Sequence, residues 1–155
     1  MGAAMLPILD EERMNQDLSS TLAEMASNRD ALVSAVRDLS AEDLEKARPG
    51  GWSAGRVLQH VIESEVAYVK LLAHLRGKIA PDLASTAPRD GADSIAQLER
   101  TRTAVLEMAD GIDDETLYRM AAMGQNEYSA LSVLENVADH DHEHLRQISR
   151  LFKDK

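Results

Sequence analysis

Three of the chain's five histidines fall within the stretch Ala138-Asp139-His140-Asp141-His142-Glu143-His144-Leu145. On a helix, at about 100° per residue, His140 and His144 stand roughly 40° apart and one turn above each other. Two imidazoles stacked in this way can clamp one metal ion, while His142 points well away from both. On the same wheel Val133, Leu134, Val137, Leu145, Ile148, Leu151 and Phe152 define an apolar arc, and His140 and His144 lie on its margin or inside it. The competing reading is a solvated C-terminal helix that happens to be His-rich. Helical pairing and inward orientation favour a metal site.

A third ligand is expected at His60, beside Val57, Ser64, Ala67 and Leu71 on the margin of another apolar face. A lone histidine there is usually a hydrogen-bonded core residue, although small Ser64 and Ala67 leave room for a pocket. Three neutral histidines on a divalent ion leave coordination positions open. Zinc so held lowers the pKa of bound water towards about 7, and nickel or iron also accepts three imidazoles. Asp141 falls inside the apolar arc, where an unpaired carboxylate is costly. It either orients a ligand histidine or pairs with an arginine of a neighbouring helix. Glu143 faces away, and Glu63, near His60, is the candidate general base set against a plain surface role. His74 stands alone and reads as structural or exposed.

Two other metal patterns fail on the sequence. His140 to His144 fits H-x-x-E-H, but that pattern needs a further ligand downstream, and the segment after His144 holds no histidine or glutamate. A di-iron bundle needs Glu-x-x-His pairs, and no histidine here has Glu three residues before it.

The elements that must position these groups are four long helices, with no convincing strand alternation. The first is expected over about residues 12 to 39, with Leu18, Leu22, Met25, Leu32, Val36 and Leu39 on one stripe. Arg29 interrupts that stripe and reads as a snorkelling edge residue rather than a partner of an internal carboxylate. Ser40 and Asp43 suggest a capped short helix, and Pro49-Gly50-Gly51 breaks the chain. Ser53 caps a second helix to about Arg76, with Gly77 as its stop. Residues 77 to 94 show no periodicity. A third helix follows over about 92 to 110, then an irregular stretch from 111 to 128 with one short turn at Asp113 to Leu117. Ser129 caps the fourth long helix.

Four such helices predict an all-α, four-helix bundle. His60 lies roughly 10 Å from the start of its helix, and the His140–His144 midpoint roughly 16 Å from the end of the last one. These levels match if the two helices are antiparallel, as in an up-down-down-up bundle. That topology needs one long crossover between helices two and three, where the longest connection falls.

Composition narrows the remaining classes. The chain of 155 residues is expected to be one domain with a real core. A net charge of −10 argues against a nucleic-acid partner. Without cysteine there are no disulfides, thiolate ligands or cysteine nucleophile. No signal peptide, myristoylation motif or membrane-length apolar run is read, so a cytoplasmic protein is expected.

The motifs also carry a family resemblance. Gly51-Trp52-Ser53-Ala54-Gly55-Arg56-Val57-Leu58-Gln59-His60 resembles the Trp-Ser…His signature opening helix two of the DinB-like (YfiT-like) metal-dependent superfamily. Residues 138 to 148, with His140 and His144, resemble that family's His-x-x-x-His on the last helix. The resemblance implies an up-down-down-up bundle, often a homodimer, with one divalent ion, zinc or nickel foremost, on His60, His140 and His144. It also implies a hydrolase or a thiol S-transferase using a low-molecular-weight thiol, acting on a small molecule. Trp52 and Tyr68 are candidate pocket walls, with core packing as their plainer reading. The rival class is a non-catalytic dimeric bundle braced by the metal or by its empty site.

Overall fold

The computed structural model of the chain describes residues 15–153. Among these, six helices and one hairpin follow in order: α1 Gln16–Val36, α2 Ala41–Leu44, α3 Ala54–Leu75, α4 Gly91–Ala109, α5 Asp114–Tyr118, β1 Ala121–Met123, β2 Asn126–Tyr128 and α6 Ala130–Leu151. Side-chain caps set where the helices begin. Ser53 Oγ accepts from the Arg56 amide, and Ser40 and Ser129 each form a reciprocal box with the residue three places on, Asp43 and Ser132. Each cap satisfies amides that the first turn leaves without intrahelical partners. Gly77, at φ +63°, follows the end of α3 as the stop signal required.

Hydrogen bonds between helices fix their directions. Asn28 Nδ2 donates to the Ala138 carbonyl, which sets α1 beside α6. Arg76, just past α3, donates to the Met108 and Asp110 carbonyls at the end of α4, so α3 and α4 run parallel. The Gly91 amide at the start of α4 donates to Leu39 O just beyond α1, so those two run antiparallel. Arg48, before α3, reaches the Arg150 carbonyl near the end of α6, so α3 and α6 are antiparallel. The result is the expected up-down-down-up bundle, with the segment between α3 and α4 as its crossover.

Two apolar clusters fill the interior. Met25, Val69, Leu72, Val105, Leu134 and Val137 belong to one, and Leu32, Val57, Leu58, Ile62, Leu98 and Ile148 to the other. Between them lies a layer of charge. Arg29 of α1 grips both Asp141 oxygens at 2.9 and 3.2 Å and donates to Glu65 at 2.8 Å. Arg102 of α4 donates to Glu65 at 3.0 and 3.1 Å and to Asp141 at 2.8 Å. Thr101 Oγ1 supplies Glu65 with another bond at 2.6 Å. The spare guanidinium protons go to the Leu98 and Met25 carbonyls. Two cations and two anions from four helices therefore neutralise one another away from water.

The structure corrects three expectations. Arg29 is 7% exposed and is not a snorkelling edge residue; its interruption of the apolar stripe marks its place in this layer. The first helix ends at Val36, not near residue 39. Gly91 packs against that end: a Cβ on Gly91 would lie 2.1 Å from the Val36 carbonyl. The region after α5 is not wholly irregular, since β1 and β2 pair antiparallel from Ala121↔Tyr128 to Met123↔Asn126. The expected start of the first helix near residue 12 and the segment Met1 to Asp10 lie outside the described residues.

Two outcomes are expected from this packing. Gly91→Ala should lower unfolding free energy by about 1–3 kcal/mol, because backbone rather than a flexible side chain has to move; an unchanged denaturant midpoint would contradict it. Glu65→Leu should cost about 3–5 kcal/mol, since two guanidinia would then face one carboxylate. Replacing all four charged residues together by apolar ones should cost less than that single change. A fourfold variant less stable than Glu65→Leu would show that the layer contributes net stability.

Candidate metal centre

The antiparallel course of α3 and α6 brings His60 opposite His140 and His144. His140 Nε2 lies 3.2 Å from His60 Nε2 and 2.9 Å from His144 Nε2. One ring nitrogen from each of the three lies within 4.8 Å of the others, a set that could hold a metal ion. Zinc–imidazole bonds of about 2.0–2.1 Å in tetrahedral geometry place nitrogens roughly 3.3 Å apart, so the observed spacings suit a first-row divalent ion. His144 meets the other two rings edge to face and His60 is tilted against His140, with centroids 4.3 to 5.0 Å apart.

His144 is held in one tautomer. Its Nδ1 lies 2.7 Å from Gln147 Oε1, and an amide oxygen only accepts, so Nδ1 carries the proton. The lone pair of His144 Nε2 is then free to face His140 and His60. Gln147 thus does what an orienting partner of a ligand histidine must do. The sequence reading missed it, although its position three residues after His144 places it within side-chain reach on one helix face.

Burial disfavours the charged forms of His140 and His60. His140 is pushed down to about 4, first by desolvation and then by the neighbouring His144 and His60. His60 is lowered too, by desolvation, then by His144, with Arg56 adding to the effect. Neutral imidazoles at pH 7 offer lone pairs to a cation. Two aromatic rings border the cluster: Trp52 edge-on to His60 at 5.3 Å and Tyr68 edge-on to His140 at 6.0 Å. Trp52 is 44% exposed and not a core residue, whereas Tyr68 is half-buried against the first apolar cluster. Burial also raises the Tyr68 phenol, which stays protonated at neutral pH.

The other singled-out residues separate cleanly. His142 and Glu143 are exposed, as expected, and His74 is exposed near the end of α3. Glu63 is exposed and accepts a bond from Gln59 at 3.0 Å, so it touches the cluster only through its field on His60. Of the two roles open to Asp141, the structure shows the pairing with arginine.

The low His140 value gives the metal-free protein a pH dependence. The unfolded chain protonates this histidine at about 6.5, the folded one only near 4. The unfolded state therefore binds more protons in that window, and stability should fall as pH drops from about 6.5 to about 4. In chelator, denaturant unfolding across this range should be less pH-dependent for His140→Gln than for the parent chain. Identical slopes would contradict the assignment.

Comparison with known proteins places the chain. A sequence model of the DinB superfamily matches residues 10–148. Among solved structures, the four-helix bundle protein TT2238 superposes with a TM-score of 0.65 at 23% identity, covering 84% of this chain and 96% of its own. A DinB-like protein from Bacillus cereus ATCC 10987 gives a TM-score of 0.67 at 20% identity, covering 89% of each chain. No curated protein matches the sequence. At these identities the two structures speak for the fold alone, while the match over residues 10–148 establishes the family: the chain belongs to the DinB superfamily.

Proposed function

We propose that His60, His140 and His144 hold one divalent ion, zinc or nickel, and that the protein is a metal-dependent enzyme acting on a small electrophile. The observation that carries this reading is the convergence of three imidazole nitrogens within 4.8 Å of one another, with one tautomer fixed by Gln147. When bound, such an ion supplies Lewis acidity that turns water or a low-molecular-weight thiol into a nucleophile near neutral pH. The chain's own contribution is geometric. The opposed helices hold the imidazoles in place, and Trp52 and Tyr68 flank the approach with apolar edges. His60 and His140 are only partly buried, so a substrate can reach the side of the cluster they present.

A purely bracing metal is less well supported. α3 and α6 are already joined by apolar packing on either side of the charged layer, and Glu65 and Asp141 share both arginines. A metal is not needed to hold that pair together.

Elemental analysis of untagged protein should find about one divalent ion per chain, lost in His60→Ala and in His144→Ala. No metal, even after zinc and nickel are offered, would sink the reading. Chelation should lower the thermal midpoint while leaving a helical, cooperatively folded protein, because binding adds only the linkage term RT ln(1 + [L]/Kd) to a fold that stands without it. Collapse of helical circular dichroism on chelation at 25 °C would favour the brace.

A further inference from the structure

A cavity of about 160 Å³ shares two walls with the histidine cluster. Trp52 lines it and stands with its ring centroid 5.3 Å from that of His60; Gln147 lines it and is bonded to His144. Gly51, Leu151, Arg48 and Arg150 complete a surface that is almost wholly apolar. The two arginines therefore line it with their aliphatic stems rather than their charged ends, and Arg48 Nη2 is bonded to the Arg150 carbonyl at the end of α6. Trp52 keeps 44% of its surface exposed even though Arg56 stacks over its ring at 5.1 Å.

Nothing in the backbone requires this space. Gly50 needs to be glycine, because its φ is +74°, but Gly51 is not at positive φ. A Cβ on Gly51 would meet Arg48 O at 3.4 Å and Arg48 Cβ at 3.8 Å, which is ordinary van der Waals contact. A side chain at residue 51 would fit, and it would take up part of the cavity. Gly91, by contrast, is required by a close approach of backbone. The wall beside the histidines is therefore left open where the fold would tolerate a filled one. Size points to the occupant. An apolar cavity of about 150 Å³ takes up benzene, so this one suits a group of about six carbons. It is smaller than the 300 Å³ or so of a site for a whole ligand, and it suits one end of a molecule whose other end reaches the histidines.

We infer that this cavity binds a neutral apolar group of about six carbons on the substrate, with Trp52 as its aromatic wall and Gly51 setting its size. The substrate class is then a small electrophile that carries such a group next to the reacting centre. The role as a substrate subsite rests on the metal-enzyme reading, whereas apolar binding in the cavity needs no metal.

The chain's one tryptophan is a wall of this cavity, so its emission reports occupancy. Metal-free, full-length protein should be titrated with the straight-chain primary alcohols from propanol to octanol, with glycerol as the polar control. We expect a saturable change in Trp52 emission, with affinity rising about fourfold per methylene and levelling off at about six carbons. Glycerol should give none. Gly51→Ala should bring the plateau about one carbon earlier, and Gly51→Leu should remove the saturable response, both with thermal midpoints near the parent's. In zinc-loaded protein, hexanohydroxamate, whose head group binds the ion, should bind about tenfold or more tighter than acetohydroxamate, and Gly51→Leu should erase that preference. No saturable response to any alcohol, affinity that climbs through octanol without a plateau, or responses unchanged in both glycine variants would overturn the inference. So would emission that changes only with protein concentration, the mark of a second copy covering the cavity. Zinc-loaded protein that binds both hydroxamates equally defeats this inference alone. Alcohol binding with its plateau in a protein that takes up no zinc leaves the apolar site standing and defeats the metal-enzyme reading.

Discussion

The exchange of bonds among Arg29, Glu65, Arg102 and Asp141 is the constraint on which the rest of the bundle depends. Each guanidinium reaches both carboxylates, and each carboxylate receives both guanidinia. Apolar faces alone tolerate small shifts of level and rotation, since one aliphatic contact replaces another at little cost. A buried charge does not, because sliding one helix by a turn would strand it without a partner. The layer therefore sets the register of α1, α3, α4 and α6 together, and the two apolar clusters on either side supply the cohesion.

The histidine cluster inherits that register. His60 lies five residues before Glu65, roughly 7.5 Å along α3, and His144 three residues after Asp141, roughly 4.5 Å along α6. Because the two helices are antiparallel, both displacements point to the same end of the bundle. His140 adjoins Asp141 in sequence, so the clamp that turns Asp141 inward also fixes the azimuth at which His140 meets α3. Asn28, bonded to the Ala138 carbonyl, secures the same stretch of α6 from the α1 side. The position of the three imidazoles thus follows from charge pairing a turn or so away.

What the sequence made legible follows the range of the interactions. Helix starts at Ser40, Ser53 and Ser129 were readable because a cap and its amide lie three residues apart. The histidine pair was readable because i and i+4 share a helix face, and the level of His60 followed from counting turns. Arg29 was misread because its partner Asp141 is 112 residues away, and nothing local distinguishes a clamped arginine from a snorkelling one. The hairpin escaped because strands of three residues are too short for alternation to register. Its one local signal was Gly124, whose φ of +66° opens the two-residue turn between Met123 and Asn126.

One contrast within the molecule bears on its chemistry. Among the described residues no buried side-chain nitrogen or oxygen lacks a hydrogen-bond partner, and in the charged layer donors and acceptors are matched to their opposites. In the histidine cluster the Nε2 atoms are paired with one another. With the His144 proton committed to Gln147, its Nε2 is a pure acceptor aimed at His140 Nε2. If His140 places its proton on Nε2, that proton can satisfy one neighbour well and not both. A cation at the centre would meet all three lone pairs at once. A fold that pairs its buried charges so completely elsewhere, yet gathers three imidazole nitrogens within 4.8 Å of one another, offers there a set that could hold a metal ion.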